Sequence, residues 1–590
     1  MDLFDILSLV CGLALFLYGM ELMGDALKKS AGNNLKTILG KMTTNPIKGF
    51  FLGLVVTAVI QSSSATTVMV VGFVNSGTMT LLQSVGVILG ANVGTAVTAW
   101  LTALSGIDAG TGAEAALDVI KWLKPDAWMP ILALVGICLV MFTKRGKKKD
   151  IGVILLGFSI LMVGMSMMSD SVAGLKNDEG FKSILTMFEN PILGVLAGLV
   201  LTAIVQSSSA SVGILQSLTA TGAITYGAAI PIVMGQNIGT CVTAMISSVG
   251  ANKNGKRAAL VHLYFNIIGV VIVLALFYLL SWLIKPIEAF VSGTYIDMWG
   301  VALVHTVFKL ICVIILGPFY KLLAKLATLT IKDGKEAETE NLLDDRLLET
   351  PAIAIARAVE VTGIMAEISK TALLDSFTLF DKYDSKLADE IRDKETKADV
   401  LEDALGSYLV KLSSCDMDER DSRQITKLLH IIGDYERISD HAVNIVESAE
   451  ELQDKKIEFS TQAQKELAVL RAAVEEILVI TTDAFLHDDL TKAAEVEPLE
   501  QVIDEIRDKI KLNHILRLQK SECTIEHGFV LSDILNNYER VSDHCSNIAG
   551  CVIEISAYDA LDMHKYLYDV KHGGEGFDEK FRAYKEKYTL

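Results

Sequence analysis

The chain has 590 residues, 51% of them hydrophobic and 21% charged, with a mean hydropathy of +0.41 and a formal net charge of −18. That is too apolar for a wholly soluble protein and too charged for one wholly embedded in a membrane. Residues 1–330 hold 21 Lys and Arg against 15 Asp and Glu, whereas the remainder holds 32 against 56, so a membrane domain over 1–330 is followed by an acidic soluble half. Such an acidic surface disfavours nucleic acid or anionic lipid as partners of that half and is permissive for cations. The eight cysteines form no CxxC or zinc-like spacing. They read as packing residues, with the soluble half on the reducing side of the membrane.

Leu7 to Met23 is a first span, with no basic leader or cleavage site to make it a signal peptide. Lys28, Lys29, Lys36, Lys41 and Lys48 follow it and place that side in the cytoplasm. Pro46 to Ile60 is too short to cross a bilayer, is interrupted by polar Gln61 to Ser64, and runs apolar again to Val74. Two short arms with a polar tip predict a re-entrant hairpin. Leu81 to Leu104 is a full span whose Gly90 to Thr95 stretch predicts an unwound segment. The acidic stretch Gly106 to Ala127 is expected as an external loop, and Trp128 to Phe142 returns inward to the basic run Lys144 to Lys149.

Ile151 to Met168 then goes outward, a loop spans Asp170 to Glu189, and a second hairpin surrounds Gln206. Tyr226 to Val249 comes inward to Lys253, Lys256 and Arg257; Val261 to Leu283 crosses outward; Met298 to Leu316 crosses inward toward Lys321 and Lys325. The soluble half is thereby delivered to the cytoplasm of a multi-pass cell-membrane protein.

A duplication runs through these elements. Gln61-Ser62-Ser63-Ser64-Ala65 recurs from residue 206 as Gln206-Ser207-Ser208-Ser209-Ala210, an offset of 145 residues. Asn45-Pro46 recurs as Asn190-Pro191, Gly19-Met20 as Gly164-Met165, and Gly90-Ala91-Asn92-Val93-Gly94-Thr95 as Gly235-Gln236-Asn237-Ile238-Gly239-Thr240, all in the same register. Repeat one covers about 5–142, repeat two about 151–284, and the last span 298–316. The repeats start from opposite sides, which gives them inverted topology.

The segments between Gly49 and Ile107 and between Pro191 and Asn252 contain no Asp, Glu, Lys, Arg or His. The polar groups are Gln61, Ser62, Ser63, Ser64, Thr66, Thr67, Asn92, Thr95 and Thr98 in one half, and Gln206, Ser207, Ser208, Ser209, Ser211, Asn237, Thr240 and Thr243 in the other. Hydroxyl and amide oxygens suit a small hard cation, and helix N-termini suit an anion. An anion held there without Arg or Lys needs bound cations. A proton-coupled carrier would show an intramembrane relay, for which Glu21, His262 and His305 are the nearby candidates and none is duplicated. Asp25 does match Asp170, at span ends where a structural role is expected. Sodium is thus favoured over protons. The alternative, that small polar residues merely let helices pack and hydrogen-bond, does not account for the repetition of the whole set.

Paired QSSS hairpins, each followed by GANVGT or GQNIGT, resemble the type II sodium-phosphate cotransporter family over about residues 5–320. The resemblance implies phosphate and sodium binding at Gln61 to Ser64 and Gln206 to Ser209, with Asn92, Thr95, Asn237 and Thr240 contributing. Gln236 in place of Ala91 makes the two halves unequal.

Residues 331–346 read as a polar linker, and the pattern from Pro351 onward is helical. Here Asp434-Tyr435-Glu436-Arg437-Ile438-Ser439-Asp440-His441 matches Asn537-Tyr538-Glu539-Arg540-Val541-Ser542-Asp543-His544, and the pair Glu395 and Asp399 matches Glu500 and Asp504. A spacing of four places each Glu and Asp on one helix face, so Glu395, Asp399, Glu436 and Asp440, and likewise Glu500, Asp504, Glu539 and Asp543, are candidate ligands of a divalent or multinuclear metal. The bland alternative is a solvated acidic face. The YERxSDHxxN pattern resembles PhoU domains, which implies two tandem three-helix bundles over 347–560, a link to phosphate regulation and metal binding; Asn537 opposite Asp434 departs from the pattern. No motif is evident in the tail, 561–590.

The fold class is therefore all-α: a polytopic membrane domain of two inverted repeats with re-entrant hairpins, then two helical bundles. The function expected is a secondary active transporter in the bilayer that couples sodium to inorganic phosphate by alternating access, with a cytoplasmic regulatory domain. A regulatory protein and a second copy of the chain are its candidate partners. The rivals are a phosphate exporter or leak pathway without tight sodium coupling, and a membrane phosphate-status sensor. No nucleophile with an adjacent base is apparent, so an enzyme is not expected.

Overall fold

The structure is a computed structural model that describes residues 3–40, 45–106, 125–143, 147–283, 289, 291, 293–332, 342–415, 417, 419–557 and 576–590. Most of the expected external loop at 106–127, Lys41, the start of the basic run at 144–149, most of the 331–346 linker and the first part of the 561–590 tail lie outside the described residues. Among the described residues the chain is almost wholly helical, without a strand; one isolated bridge joins Thr225 and Tyr295. It divides into two units, Met1–Ile353 and Ala354–Leu590.

The first unit comprises α1 (Leu3–Gly40), α2 (Pro46–Ile60), α3 (Ser63–Asn75), α4 (Leu81–Gly94), α5 (Ala96–Ala103), α6 (Pro125–Phe142) and α7 (Lys147–Ala173). It continues with α8 (Glu179–Met187), α9 (Pro191–Val205), α10 (Ser208–Thr219), α11 (Tyr226–Gly239), α12 (Cys241–Ser247), α13 (Lys253–Leu283), α14 (Met298–Leu316) and α15 (Tyr320–Thr330). Six stretches among the described residues are long and apolar enough to cross a membrane: Leu3–Ser30, Leu81–Gly106, Lys147–Ala173, Tyr226–Ser247, Lys253–Leu280 and Met298–Thr330. Phe142, Ile204, Val249 and Ile314 are each more than two-thirds exposed. Large apolar side chains on the outside of so many long helices are what lipid solvates, and this is a membrane protein.

Glycine decides how these helices meet. Gly12 and Gly19 of α1 lie against the backbone of Gly164 and Gly157 of α7, so the first helices of the two repeats cross through residues that the duplication itself relates. A Cβ at Gly53 would collide with the Val87 carbonyl and one at Gly90 with the Phe50 carbonyl, which seats α2 on α4 backbone to backbone. Gly198 against Ile232 and Gly235 against Val195 repeat this contact between α9 and α11.

The end of the expected linker is packed against the same unit. Asp344, 2% exposed, accepts from Asn75 Nδ2 at 2.5 Å and from Arg346 Nη1 at 2.7 Å. Arg346 also donates to the carbonyls of Ser247 (2.6 Å) and Val249 (3.1 Å). Leu347 is fully buried, and Gly72 of α3 lies against its side chain. The C-terminal end of α3 is thereby held through Asn75, which also accepts from the Asn252 N–H at 2.6 Å.

After Pro351–Thr378 (α16), the second unit holds α17 (Ser385–Ser413), α18 (Glu419–Lys455), α19 (Thr461–His487), α20 (Leu490–Gln519), α21 (Ile525–Ala557) and α22 (Phe577–Lys587). The tyrosines of the duplicated motif are its largest fully buried side chains. Tyr435 of α18 meets Phe485 of α19 at 5.9 Å between ring centroids, and Tyr538 of α21 meets Phe377 of α16 at 5.1 Å. Each bundle thus places its tyrosine against the other. In the tail, α22 is anchored by Lys587 to Glu476 at 2.7 Å.

Backbone contact at glycine leaves no room for a methyl group. Gly90→Ala and Gly235→Ala should each destabilise the membrane unit by about 1–3 kcal/mol through overpacking. Gly433→Ala, in α18 with nothing within 4 Å of the new Cβ, should be neutral or stabilise by up to about 1 kcal/mol. Thermal unfolding of the purified full chain compares them.

Candidate functional site

Each hairpin tip is a helix end and a helix start compressed into two residues. Asn45 and Asn190 cap α2 and α9, accepting from Ile47 N at 2.9 Å and Ile192 N at 3.0 Å, with Pro46 and Pro191 at the first helical position. The helices stop at Gln61 (φ 59°, ψ 21°) and Gln206 (φ 55°, ψ 18°), left-handed residues whose N–H groups donate to Thr57 O at 2.8 Å and Thr202 O at 2.7 Å. A non-glycine residue held left-handed costs about 1–2 kcal/mol, and such strain concentrates at functional positions. Ser62 and Ser207 are extended and cap the next helix, each accepting from the N–H three residues on at 3.2 Å. Thr57 Oγ1 to Thr66 Oγ1 at 3.0 Å ties the arms of the first hairpin, and Thr202 Oγ1 to Ser211 Oγ at 2.8 Å ties the second.

This leaves the hydroxyls of Ser63, Ser64, Ser208 and Ser209 in the first turns of α3 and α10, where they make no hydrogen bond among the described residues. Free N–H groups and the positive end of the helix dipole lie at the same place. Each tip can therefore donate to an oxyanion, and its hydroxyl oxygens can coordinate a small cation.

The two tips are not in the same state. Gln61 is buried and its Oε1 accepts from Thr98 Oγ1 at 2.9 Å, whereas Gln206 is exposed. No hydrogen bond joins the two tips among the described residues. The halves share hydrogen bonds elsewhere, at Asn75 and Asn252 and at Gln216 of α10, a buried residue whose counterpart in repeat one is Val71. It accepts from Thr102 Oγ1 at 2.5 Å and donates to the carbonyls of Ala99 (2.9 Å) and Met298 (3.1 Å).

The expected unwinding at Gly90 to Thr95 does not occur. α4 passes into α5, and α11 into α12, through a single helical residue, Thr95 or Thr240. The glycines serve the close approach of α2 and α9, a use indistinguishable in sequence from helix weakening. Asn92 Nδ2 donates to Ile88 O at 3.1 Å, Thr95 Oγ1 to Ala91 O at 3.1 Å and Thr240 Oγ1 to Asn237 O at 2.6 Å. Gln236 does make the halves unequal: its Nε2 braces Ser211 O at 2.9 Å, and its buried Oε1 has no partner. Asn237 Nδ2 donates to Asn266 Oδ1 at 2.6 Å, and its Oδ1 is likewise buried without a partner.

A charge inventory confined to the duplicated segments missed Lys309. It lies in α14, is 2% exposed, and faces Cys241 of α12 and His262 of α13. Its position in an otherwise apolar span was visible in the sequence, so the second half is not without a fixed cation.

In the second unit the two acidic groups differ. Across the two helices Asp440 of α18 acts on Glu395 of α17 and Glu402 of α17 acts on Glu436, with Asp399 beside Glu395 and Glu402; burial, then the Asp440 charge, pushes Glu436 up to about 7 and raises Glu395 in the same direction. On α20 and α21, Glu500 is buried, while Arg507 pairs with Glu539 and lies 3.5 Å from Asp504. A guanidinium therefore neutralises the second group, although burial and then Glu539 still raise Asp543. No three His, Cys, Asp or Glu side chains among the described residues have a metal-holding arrangement. His544 Nδ1 lies 2.9 Å from Asp434 Oδ1 and His441 Nδ1 2.8 Å from Asn537 Oδ1, with the two rings 5.7 Å apart. Asp434 and Asn537 thus bridge the two repeats, and the Asn substitution leaves the acidic groups untouched.

The raised Glu436 has a pH consequence. A carboxyl whose folded value exceeds its ordinary 4.5 contributes stability below that value and loses it as pH climbs through about 7. In EDTA, the melting temperature of the second unit should therefore fall between about pH 5 and pH 8. Glu436→Gln should flatten that dependence and raise the midpoint at pH 8, and calorimetry of the full chain reads both.

The family model described as Na+/Pi-cotransporter matches residues 15–170 and 160–293, and the PhoU domain model matches 362–449 and 468–552. YjbB of Escherichia coli, named as a provisional inorganic phosphate export protein, is 24% identical over 559 residues, 93% of this chain and 97% of YjbB. The uncharacterized YqeW of Bacillus subtilis is 32% identical over 272 residues, 46% of this chain and 81% of YqeW. The human sodium-dependent phosphate transport protein 2B is 35% identical over 164 residues, 26% of this chain and 22% of that protein. With its duplicated capped hairpins in the first unit and two PhoU domains in the second, the chain belongs to the Na+/Pi-cotransporter family, a family of phosphate transport.

Proposed function

We propose that the membrane unit is a secondary active transporter that moves inorganic phosphate with sodium by alternating access. The observation that carries this is the pair of strained, serine-capped helix starts, whose four serine hydroxyls make no hydrogen bond among the described residues and which recur in both repeats. Phosphate is received by the N-terminal ends of α3 and α10, and sodium by hydroxyl, amide and carbonyl oxygens around Gln61, Asn92 and Thr95 and around Gln206, Asn237 and Thr240. The basic residues after the first span and after α12 support inverted repeats, with re-entrant hairpins entering from opposite sides and the PhoU domains in the cytoplasm. The difference between a buried Gln61 and an exposed Gln206 is what one gate shut and one open would give. In the PhoU domains, Glu395, Asp399, Glu436 and Asp440 are the better candidate for a divalent metal, since among the described residues Arg437 acts on that group only at a distance, whereas Glu500, Asp504, Glu539 and Asp543 compete with the ion-paired Arg507.

In proteoliposomes, radiolabelled phosphate flux should require a sodium gradient; sodium-independent, pH-driven flux would sink the coupling. Ser63→Leu and Ser208→Leu should each lower flux by at least about tenfold while the protein stays monodisperse, because either blocks a helix N-terminus; wild-type flux would remove the tips from the mechanism. The full-length match to YjbB favours a second reading, net export without tight sodium coupling. Phosphate efflux from loaded vesicles with no sodium on either side distinguishes it, since an uncoupled exporter sustains that efflux and a sodium symporter does not.

A further inference from the structure

Three helix faces converge on a buried cation that neither repeat contains. His305, Lys309 and Cys312 lie on α14 at spacings of four and three residues, and His262, Asn266 and Gly269 share that spacing on α13. Asn237, near the end of α11, and Cys241, at the start of α12, form the third set. Spacings of three and four put each set on one helix face. The faces are in contact: a Cβ at Gly269 would lie 2.8 Å from Cys312 Sγ, so α13 and α14 approach closely at this level. Asn237 donates to Asn266 Oδ1 at 2.6 Å, Asn266 Nδ2 to Cys241 Sγ at 2.9 Å, and Cys241 Sγ to the His262 carbonyl at 3.7 Å. The Lys309 ammonium acts electrostatically on Cys241, His262, His305 and Cys312.

Lys309 and His305 are each 2% exposed and His262 is 3% exposed, and among the described residues no carboxylate pairs with Lys309. An ammonium taken out of water without a counter-charge is strongly disfavoured. The cluster also holds buried polar atoms that have no partner: Nδ1 of both histidines and Oδ1 of Asn237. A metal cation would meet the ammonium head on, whereas water supplies no negative charge. The occupant that satisfies the set is an anion with several oxygens and a hydroxyl of its own. Its oxygens accept from the ammonium, and its hydroxyl donates to the Asn237 amide oxygen.

We propose that Lys309, flanked by His262 and His305 and joined through Cys241 and Asn266 to Asn237, forms an oxyanion subsite that holds phosphate in the second half of the membrane unit. The inference rests on the phosphate-transport reading and deepens it. One fixed positive charge serves the second half and none serves the first, so the charge of the phosphate is offset by Lys309 together with mobile sodium rather than by sodium alone.

Equilibrium binding of radiolabelled phosphate to the purified full chain, at saturating sodium and with gluconate in place of chloride, tests this. Lys309→Met keeps the length and apolar stem and removes the charge. It should weaken phosphate binding by at least about tenfold, and Lys309→Arg should recover most of that loss, which a merely structural lysine would not require. Phosphate binding by Lys309→Met within about twofold of wild type overturns the subsite while leaving transport at the hairpin tips standing. Should Lys309→Met fail to purify, His305→Gln and His262→Gln should each weaken binding by at least about threefold, and wild-type binding in both overturns the proposal equally. A wild-type chain that binds no phosphate at any sodium concentration overturns the transport reading, and the subsite with it.

Discussion

Everything in the membrane unit depends on ending an apolar helix at a polar tip. A helix terminus leaves backbone donors and acceptors without partners, and in lipid each costs several kcal/mol unless the protein satisfies it. At each tip the chain meets this locally: the left-handed Gln61 or Gln206 closes the preceding helix, and Ser62 or Ser207 opens the next. The N–H groups left over at the start of α3 and α10 are then a resource, since they lie where polar ligands are the only available partners. Glycine makes this possible one layer out, because seating α2 on α4 and α9 on α11 at backbone distance packs the strained turns on both sides.

The same construction used twice does not give two equal sites. Gln236 braces the arm of the second hairpin where Ala91 cannot, Gln216 ties α10 into the first repeat, and α14, outside both repeats, brings Lys309 within electrostatic reach of Cys241. Electrostatics makes the last difference the largest, since a full charge in a low-dielectric interior outweighs any single hydroxyl. The Asp344–Arg346 network adds a further asymmetry. It clamps Asn75 at the far end of α3, and a clamp there biases one hairpin and not the other. Because the clamp lies within a few residues of the first PhoU helix, the segment that enters the second unit is itself part of the packing of hairpin one.

What could be read from the sequence follows this division. The helical class, the long spans and both hairpin breaks at Gln61 and Gln206 were legible, because duplication marks positions where local chemistry is indispensable and hydropathy marks the spans. Gln216 and Asp344 were not, because each acts once and through a partner up to 269 residues away; Lys309 was visible as a charge in an apolar span but lies outside the duplicated segments. The glycines of GANVGT were misassigned for a different reason. A glycine that weakens a helix and one that admits a neighbouring backbone are identical in sequence, and only the tertiary contact separates them.

In the PhoU domains duplication hid a difference as well as revealing a likeness. Two acidic sets with the same spacing share a carboxylate geometry, yet Arg507, beside Asp504 in α20, turns one of them into an ion-paired group. Carboxylates that repel one another and are partly buried are stabilised by any cation that enters, so the first set gains from a metal what the second already gains from arginine. In the membrane unit the basic side chain, Lys309, comes from α14, outside both repeats. In both units, then, one unduplicated basic side chain distinguishes the copies of a repeated scaffold: Arg507 ion-pairs within one acidic set, and Lys309 of α14 interacts with Cys241 and His262 of the second repeat.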